Sequence, residues 1–544
     1  MSKKLANFIQ NFAIYFGIVF AAALTLLTFF ITAKVAACNN EDLEIVFAPY
    51  IIIAILLFVI LISIKPIFSR FKKINPETIA RIAFLWGISM SVLWIFIANV
   101  LPMWDSQDLV YAAEALNRTP EPLSMGKWAP GSYMERYPYQ VPIVLLLVIC
   151  MKLAGSNYVI FFELLNCIAC GLTMYLTVKY THLIFKNKTA TTISAILVML
   201  FAPLILYSTF VYGNLLCLPF GLGCLILQKK ALDAKITKRR VLLIIASIIM
   251  AAIAVLLKSP MLIVALAAAV VYIVWGLQHK KPQYIIVAII SIFFAKYAIL
   301  PINAYVEMRT GTNLHNGTPM TTWITMGIGG GNEYFADTTG DEAQRNNTYN
   351  AGYYNGYPWI SPGDDNTYSP EAFQKTNLEY IKKRIAHYVS DPGLFFAFFG
   401  NKLAVEWTEP TFEGLLVSNW TNPADPRGYD MCNRQLTRLA GTVYYGKVHT
   451  VLMVVLDTLQ TIIPLGLLAA LISLRKKFDI TQMGSFIAVL GIFVVYLFWE
   501  NKTQYMFPAF LFMIPLSAMG WVIIVQKIQK LPIYKKVSKI WKRH

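Results

Sequence analysis

The dominant feature of this chain is a series of apolar runs that are long enough to cross a lipid bilayer as helices. A helical span needs about 20 mostly apolar residues. Twelve segments meet or approach this length: 12–36, 47–66, 80–101, 157–180, 188–207, 210–228, 240–257, 260–277, 284–300, 447–473, 481–499 and 505–527. The sequence therefore predicts an all-α polytopic membrane protein.

The composition supports this class and excludes others. Of the 544 residues, 57% are apolar or aromatic and 14% are charged, and the mean hydropathy is +0.56. Soluble domains carry about 25% charged residues, so this chain cannot cover a body of its size with a polar surface. A soluble enzyme, a disordered protein and a nucleic-acid binder are excluded, although the net charge is +18. Basic loops on the cytoplasmic side of a membrane explain that charge.

The orientation depends on one further apolar run, Val141–Gly155, which is shorter than a span. If this run does not cross the membrane, all the basic loops and both termini fall on the same side. If it does cross, the loops divide between the two sides. The positive-inside bias favours the first arrangement. We therefore predict twelve spans in the plasma membrane, cytoplasmic termini, and a juxtamembrane helix at 141–155 on the outer face.

This arrangement places two polar segments outside the cell, 101–157 and 301–446. The second holds 15 of the 29 acidic residues but only 10 of the 47 basic residues, and within it Pro370–Val389 has helical spacing. The predicted organisation is a transmembrane module over 1–300, an external domain of mixed structure over 301–446, and C-terminal helices with a basic tail over 447–544.

The sequence contains no evident site for a soluble nucleotide. The cytoplasmic loops are short, and the glycine-rich run at 327–331 lies in the external domain without the strand and helix that a phosphate-binding turn requires. The six histidines are scattered, with no metal-binding spacing. If the protein is an enzyme, its activated substrate arrives in the membrane. Cys38 and Cys432 both fall in external segments, and whether they pair is left open.

The first external segment contains the most unusual residues. Asp105 and Asp108 directly follow a span, where partial desolvation can turn a carboxylate into a useful base. The alternative is an interfacial acid solvated by headgroups. Further on, Glu135, Arg136 and Tyr137 precede the short apolar helix. Arg136 could hold a lipid phosphate together with the N-terminus of that helix, or it could only pair with Glu135 or with headgroups.

Several motifs resemble the GT-C glycosyltransferases, and in particular the protein O-mannosyltransferases and lipid A aminoarabinose transferases. They are Asp105, the Ala112-Ala113 pair and the stretch from Tyr133 to Pro138. Later motifs are similar to Gram-positive bacterial members of this superfamily, namely Pro319–Gly327 with Tyr353–Asn355, Trp407–Thr411 and Gln504–Pro508.

The resemblance implies a GT-C membrane fold, a polyprenyl-phosphate sugar as donor and a glycan, lipid or protein acceptor in the cell envelope. Asp105 matches the catalytic acid of that superfamily, and Glu135 and Arg136 match its Glu–basic pair near the donor phosphate. Asn214 stands where many relatives have a second acid. No cofactor is certain, and a divalent metal is left open, for which Asp108 is a weak substitute ligand.

The chemistry of such a donor fits these residue types. Its leaving group is a phosphate ester, so the protein must supply a base for the acceptor hydroxyl and positive charge for the departing phosphate. Asp105 is the candidate base and Arg136 the leading phosphate partner. Lys258 and Lys502 are further candidates, or else they extend to the interface. One base without a nucleophile pair predicts inversion at the anomeric carbon.

The acceptor groove and the function class both retain alternatives. Trp323 and Trp407 could stack on sugar faces, with Glu409 beside them, or be ordinary core aromatics. A ligase that transfers a whole lipid-linked glycan has the same architecture. A transporter or lipid flippase would also need many spans. It predicts charges deep in several helices or paired halves, whereas the charges here cluster at helix ends.

Overall fold

A computed structural model of the chain describes residues 2–35, 43–118, 126–315, 317–329, 351–353, 357–359, 368–417, 437–444 and 446–530. Helices make up most of these ranges. Those before residue 200 are α1 (Ser2–Phe30), α2 (Tyr50–Phe71), α3 (Pro76–Ala98), α4 (Asp105–Arg118), α5 (Tyr133–Arg136), α6 (Val141–Ala154), α7 (Tyr158–Phe185) and α8 (Lys188–Leu200).

Those in the middle of the chain are α9 (Pro203–Leu206), α10 (Gly213–Asp233), α11 (Thr237–Leu257), α12 (Leu262–Gln278), α13 (Gln283–Tyr297), α14 (Leu300–Thr310) and α15 (Met320–Gly327). The remainder are α16 (Pro370–Ser390), α17 (Pro392–Thr408), α18 (Arg438–Tyr444), α19 (Lys447–Leu474), α20 (Gly484–Phe498) and α21 (Phe507–Ile528).

The predicted all-α polytopic fold class is confirmed. Within the described ranges, nine helical segments are long and apolar enough to cross a membrane. They are Lys3–Phe30, Pro76–Ala98, Pro138–Phe185, Gly213–Asp233, Thr237–Leu257, Ser259–Gln278, Gln283–Thr310, Lys447–Leu474 and Thr503–Ile528. A tenth is formed if Lys188–Leu200 and Pro203–Thr209, which meet at a bend of 49°, count as one span. Tyr50–Leu61 and Gly484–Phe498 are shorter apolar helices, so each of the twelve predicted segments contains a helix.

Local sequence fixes where α3 begins and ends, and α3 leads directly to the candidate site. The side-chain oxygen of Asn75 accepts a hydrogen bond from the Glu77 amide at 2.8 Å, and Pro76 occupies the first helical position. At the other end, Asn99 takes the left-handed conformation at φ 49° and stops the helix. The chain then turns, and α4 starts at Asp105.

The first predicted span, 12–36, is too long. The helix ends at Phe30, and Ile31–Val35 forms a strand that pairs antiparallel with Leu43–Phe47. Lys34 is the only charge in the run, so hydropathy alone does not mark Phe30 as the end of the helix. The strand contains β-branched residues and Lys34, which pairs in register with Glu44.

The centre of the bundle is α21, which packs against α19, α20, α7 and α8. Its residues from Phe507 to Val525 are largely buried. Two glycines permit the close crossing with α19, because a Cβ on Gly520 would lie 1.7 Å from the carbonyl oxygen of Gly466. The N-terminal end of this central helix directly follows the loop 499–506, which contributes to the candidate site.

The short helix α6 packs against α4, α7 and α14. Helix α4 follows the C-terminal end of α3 and α14 follows that of α13, so both belong to the same end of the bundle. We call this the site end, because the candidate site lies there. Helices α6 and α7 lie within one apolar segment, Pro138–Phe185, and the juxtamembrane role of 141–155 stays a prediction.

In the described part of 301–446 the named elements are helices, including α16, which confirms the helix predicted over Pro370–Val389. An isolated parallel bridge joins Tyr353 to Asn501. The two cysteines whose pairing was left open, Cys38 and Cys432, lie outside the described residues.

Candidate active site

Asp105 lies at the start of α4, at the mouth of the site end, and is exposed. The preceding residue, Trp104, has φ 50°, which is uncommon for a bulky residue and aims the chain into the helix. Burial raises the pKa of Tyr133 and Tyr212, and the Asp105 carboxylate lies close enough to add to that shift and to favour the charged form of Lys258. An acid from the first loop is thus brought together with a lysine that follows it by about 150 positions.

Lys258 is held at the C-terminal end of α11, directly before Ser259-Pro260. Its Nζ lies 4.2 Å from the centre of the Tyr212 ring, a cation–π arrangement. Burial lowers the pKa of Lys258 to about 8, with a further lowering by the charge of Lys502, while Asp105 opposes the shift. The lysine is therefore a cation with a weakened hold on its proton, and it is poised for a partner with negative charge.

Gly213 determines how closely α10 approaches this lysine. A Cβ on Gly213 would lie 1.7 Å from the backbone oxygen of Leu257, the residue before Lys258. Since backbone atoms cannot swing aside as a side chain can, α10 and α11 meet here only because position 213 has no side chain. The adjacent Tyr212 ring is thereby placed under the Lys258 ammonium.

We expect Gly213→Ala to separate these helix ends, lower the free energy of unfolding by about 1–3 kcal/mol and reduce turnover by more than about tenfold. The matched control is Gly223→Ala on the same helix, where the new Cβ would meet Met250 of α11 at 3.6 Å, an ordinary contact. Thermal unfolding and turnover of both variants provide the measurement. Equal effects of the two substitutions would contradict the role given to Gly213.

Lys502 lies in the loop 499–506 between α20 and α21, and it influences the pKa of both Lys258 and Tyr212. The loop is joined to neighbouring helices on either side of this lysine. Asn214 of α10 donates to Gln504 at 3.0 Å. Tyr505 donates to Glu500, whose carboxylate also acts on the Lys258 ammonium. Both lysines therefore face the region that Asp105 borders.

A buried lysine holds the start of this loop. Lys402 of α17 is fully buried, and its ammonium donates to the carbonyl of Gly327 at 2.8 Å and to that of Trp499. Its charge acts on the buried Glu406 one turn later, whose pKa burial raises to about 8. The backbone N–H of Asn501 donates a further hydrogen bond to the carbonyl of Gly352 at 2.7 Å. Gly352 and Lys402 thus hold the backbone of the residues on the N-terminal side of Lys502.

An apolar cleft opens beside Lys258. Its walls come from α10, α12, α20 and α21 and from the residues before α12 and α21. Most of its lining is aliphatic or aromatic, and the polar members are Asn214, Lys258 and Gln504 with the tyrosines 496 and 505. The cleft therefore suits an elongated apolar group that ends in an anion.

The structure places Arg136 in a bracing position. Its Nε donates to the carbonyl of Gly131 at 2.6 Å and its Nη1 donates to that of Pro358. The guanidinium also lies over the rings of Trp359 and Tyr368, at 5.0 and 4.3 Å. These contacts join the first external loop to Pro358, Trp359 and Tyr368. Arg136 shares the short helix α5 with Tyr133, which Asp105 influences.

The supporting residues predicted around Arg136 lie in the same loop. The Glu135 carboxylate accepts from the backbone amide of Gly131. Tyr137 is 5% exposed and its ring packs at 5.9 Å on Trp323. Asp108 forms a 2.5 Å ion pair with Lys127. Each of these groups therefore stabilises the fold of the loop that carries Asp105.

The residues predicted for an acceptor groove are buried. Trp407 is 1% exposed and packs on Phe20 at 5.3 Å, so a sugar cannot stack on its ring in this structure. Trp323 is 8% exposed and lies between Tyr137 and Trp499. Glu409 is 2% exposed, and its carboxylate accepts from the Thr411 amide at 2.9 Å and the Glu413 amide at 2.6 Å. These three side chains build the interior near the Lys502 loop.

The possibility of a divalent metal finds no matching ligand set in the described ranges. No group of three or more His, Cys, Asp or Glu side chains there is arranged to hold an ion. Asn214, at the position where a second acid was sought, donates to Gln504 instead.

Sequence reasoning missed Tyr212, Tyr133, Gly213 and Lys402. Tyr212 and Gly213 stand in the short stretch Tyr207–Asn214, which joins two spans and is rich in aromatics, the composition of a helix connection that has to pack. Lys402 is the one basic residue in Pro392–Thr408, an otherwise apolar and acidic stretch. That isolation is the signal that could have indicated a buried, bonded cation.

Comparisons with known proteins give distant similarities. No family model matches the chain, and no curated protein matches its sequence. Among solved structures, the oligosaccharyltransferase of Archaeoglobus fulgidus in the apo form is similar with a TM-score of 0.40 and 14% identity, covering 87% of this chain. The same enzyme in complex with Zn and sulfate gives 0.44 and 15%, covering 85%. The chain spans about half the length of those structures, 52% and 51%.

Proposed function

We propose that this protein is a GT-C-like membrane glycosyltransferase that transfers a sugar from a polyprenyl phosphate to an acceptor of the cell envelope on the extracytoplasmic side. The observation that carries the proposal is one juxtaposition. Asp105, an acid that opens a helix, and Lys502 both act electrostatically on Lys258, and Lys258 lines an apolar cleft. A lipid-linked sugar phosphate has an apolar chain for the cleft, an anion for the lysines and a reactive carbon for the acceptor that Asp105 would activate.

Lys258 and Lys502 are the phosphate partners in this proposal. Lys258 stands on the wall of the apolar cleft and at the same time within the influence of Asp105. Burial is the main cause of the lowered pKa of Lys258 and the charge of Lys502 adds to it, and a phosphate bound near both lysines would offset both effects. Arg136, whose guanidinium is engaged with the carbonyls of Gly131 and Pro358, is assigned a positioning role for the loop.

The reaction follows from these groups. The Asp105 carboxylate takes the proton of an acceptor hydroxyl as its oxygen forms a bond to the anomeric carbon. The bond between that carbon and the phosphate oxygen breaks, and its electron pair leaves with the polyprenyl phosphate. Lys258 and Lys502 stabilise the charge that develops on the departing phosphate. A single displacement of this kind inverts the anomeric centre.

The test is to incubate the purified protein with a panel of polyprenyl-phosphate sugars and to follow release of free polyprenyl phosphate and of glycosylated acceptor. The Asp105→Asn protein is the control. NMR analysis of the product is expected to show inversion, and retention would exclude a single displacement. Movement of the intact lipid without cleavage would identify a flippase, and transfer of a whole glycan would identify a ligase. A requirement for a nucleotide sugar would contradict the proposal.

The pH dependence of the reaction provides a further prediction. Lys258 carries its charge below its pKa of about 8 and loses it above. We therefore expect kcat/KM, which reports the free enzyme, to fall as the pH rises through about 8. Because arginine remains charged far above this range, Lys258→Arg should shift the alkaline limb upward by more than one pH unit. An unchanged limb in that variant would exclude Lys258 as its source.

A further inference from the structure

Helix α16 carries a stripe of exposed apolar side chains. Leu378, Ile385 and Val389 are 52%, 54% and 76% exposed. Their spacings of seven and four residues place them within about 40° of one another around the helix. The buried face of the same helix lies about 100° around from the stripe, and there Arg384 and Tyr388 both donate to the carbonyl of Ile328. The stripe is therefore a defined face and not a frayed end.

The apolar surface continues into α17 and from there to a predicted membrane span. Phe396 is 73% exposed and Phe395 is 37% exposed. The Phe395 ring lies 4.7 Å from that of Phe399, which in turn lies 6.1 Å from the ring of Phe498. Phe498 ends α20, and it is 46% exposed on the outer surface of the bundle. The exposed phenylalanines at the start of α17 thus lie between α16 and the end of α20.

Helix α20 is shorter than the hydrocarbon core of a bilayer. With 15 residues the helix is about 22 Å long, whereas the hydrocarbon core of a bilayer is about 30 Å thick. A short span needs additional apolar surface at its end, or the bilayer must thin around it. Phe395 and Phe396 supply exposed apolar surface at that end of α20.

The charges beside the stripe suit the same location. Lys375 and Lys382 are exposed and lie within about 60° of the stripe. Lys383 is exposed further around the helix. Long basic side chains next to a buried apolar face reach lipid phosphates while their methylene groups cover apolar surface. The buried edge of α16 faces protein, so the exposed stripe is the part that is left to meet a leaflet.

We propose that α16 and the first turn of α17 lie on the membrane leaflet at the site end, with the stripe buried at the boundary between headgroups and acyl chains. The inference does not depend on the proposed reaction. Its consequence for the site is mechanical. The same two helices hold Ile328 through Arg384 and the Trp499 carbonyl through Lys402. Seating them on the leaflet fixes the height of the Lys502 loop relative to lipid phosphates.

The test uses the full chain in nanodiscs of phosphatidylcholine and phosphatidylglycerol. Single cysteines are introduced as Val389→Cys and Ser390→Cys in a background with serine at 38 and 432, since the five cysteines within the described residues are buried. A fluorescent label at each position is exposed to a brominated lipid and to aqueous iodide. Positions 389 and 390 lie at the same point along the helix but about 100° apart around it, so they form a matched pair.

We expect the label at 389 to be quenched by the brominated lipid about twofold more than the label at 390, and less by iodide. A second matched pair, Leu378→Cys and Lys383→Cys, should behave in the same way and guards against misfolding of one variant. Equal quenching at 389 and 390 would place the stripe in water and overturn the proposal. Protection of position 389 from both quenchers would mean that protein covers it, and would also overturn the proposal.

Discussion

Replacing Asp105 with asparagine is expected to lower turnover by a factor of about 10²–10⁴, the usual contribution of a positioned general base. The amide keeps the size of the carboxyl group but cannot accept the acceptor's proton as a base. Asp105 is exposed at the start of α4, so the change leaves no buried cavity. The measurement is release of polyprenyl phosphate at saturating donor, with thermal unfolding in detergent to confirm that the fold is intact.

Asp108→Asn is the matched control for this prediction. Asp108 lies one turn along the same helix, and its carboxylate is already paired with Lys127 at 2.5 Å. Loss of a partly exposed ion pair typically costs up to about 1 kcal/mol. We therefore expect a small change in stability and a change in turnover of less than about tenfold. If Asp108→Asn is the more damaging substitution, the base has been assigned to the wrong acid.

Much of the fold could be predicted from the sequence because the bilayer imposes a length on apolar helices. The ranges predicted over 80–101 and 240–257 correspond to Pro76–Ala98 and Thr237–Leu257. Their ends are marked by the caps Asn75 and Asn99 and by the Ser-Pro pair after Lys258. The sequence separates 141–155 from the spans by charge alone, because only one of the two topologies gathers the basic loops on one side, and that separation stays a prediction.

The first span shows where hydropathy stops being informative. Residues 31–35 continue the apolar run with Lys34 as its only charge, yet they pair antiparallel with 43–47. Hydropathy measures transfer from water, and it does not distinguish a helix from a strand in an apolar segment. Pairing between strands is a contact between distant residues, and in this case the partner strand follows only after a further stretch of chain.

The candidate site was predictable only in part, for a similar reason. Asp105 stands out in the sequence because it directly follows a span and matches a motif of the superfamily that the chain resembles, and its role as a base stays a prediction. Arg136 looked like a phosphate ligand because sequence does not show that Gly131 and Pro358 engage it. Tyr212 and Gly213 carry no chemistry of their own. Their part in the site comes from the contact between the ends of α10 and α11, and no single helix reveals that contact.

Removal of the lysine charges is the other change with a large expected effect. Lys258→Met keeps much of the length and apolar character of the side chain but removes its positive charge. We expect turnover to fall by about 10²–10³, the usual cost of removing one group that stabilises a developing anion. Lys502→Met should have a similar effect, because both cations act on the same region between Asp105 and the cleft. Single-turnover release of polyprenyl phosphate gives the rate of the chemical step.

The double variant distinguishes a shared phosphate from two independent roles. If Lys258 and Lys502 hold the same anion, the double loss should be smaller than the product of the single losses, with a coupling energy of about 0.5–3 kcal/mol. Lys296→Met is the matched control. Lys296 is an exposed lysine near the same end of the bundle, with its Nζ 5.2 Å from the Tyr297 ring. Strictly multiplicative losses, or an equal loss in the Lys296 variant, would show that the two lysines do not bind one leaving group. The charge at the mouth of the cleft would then serve to hold the helices together, and the phosphate site would have to be sought elsewhere.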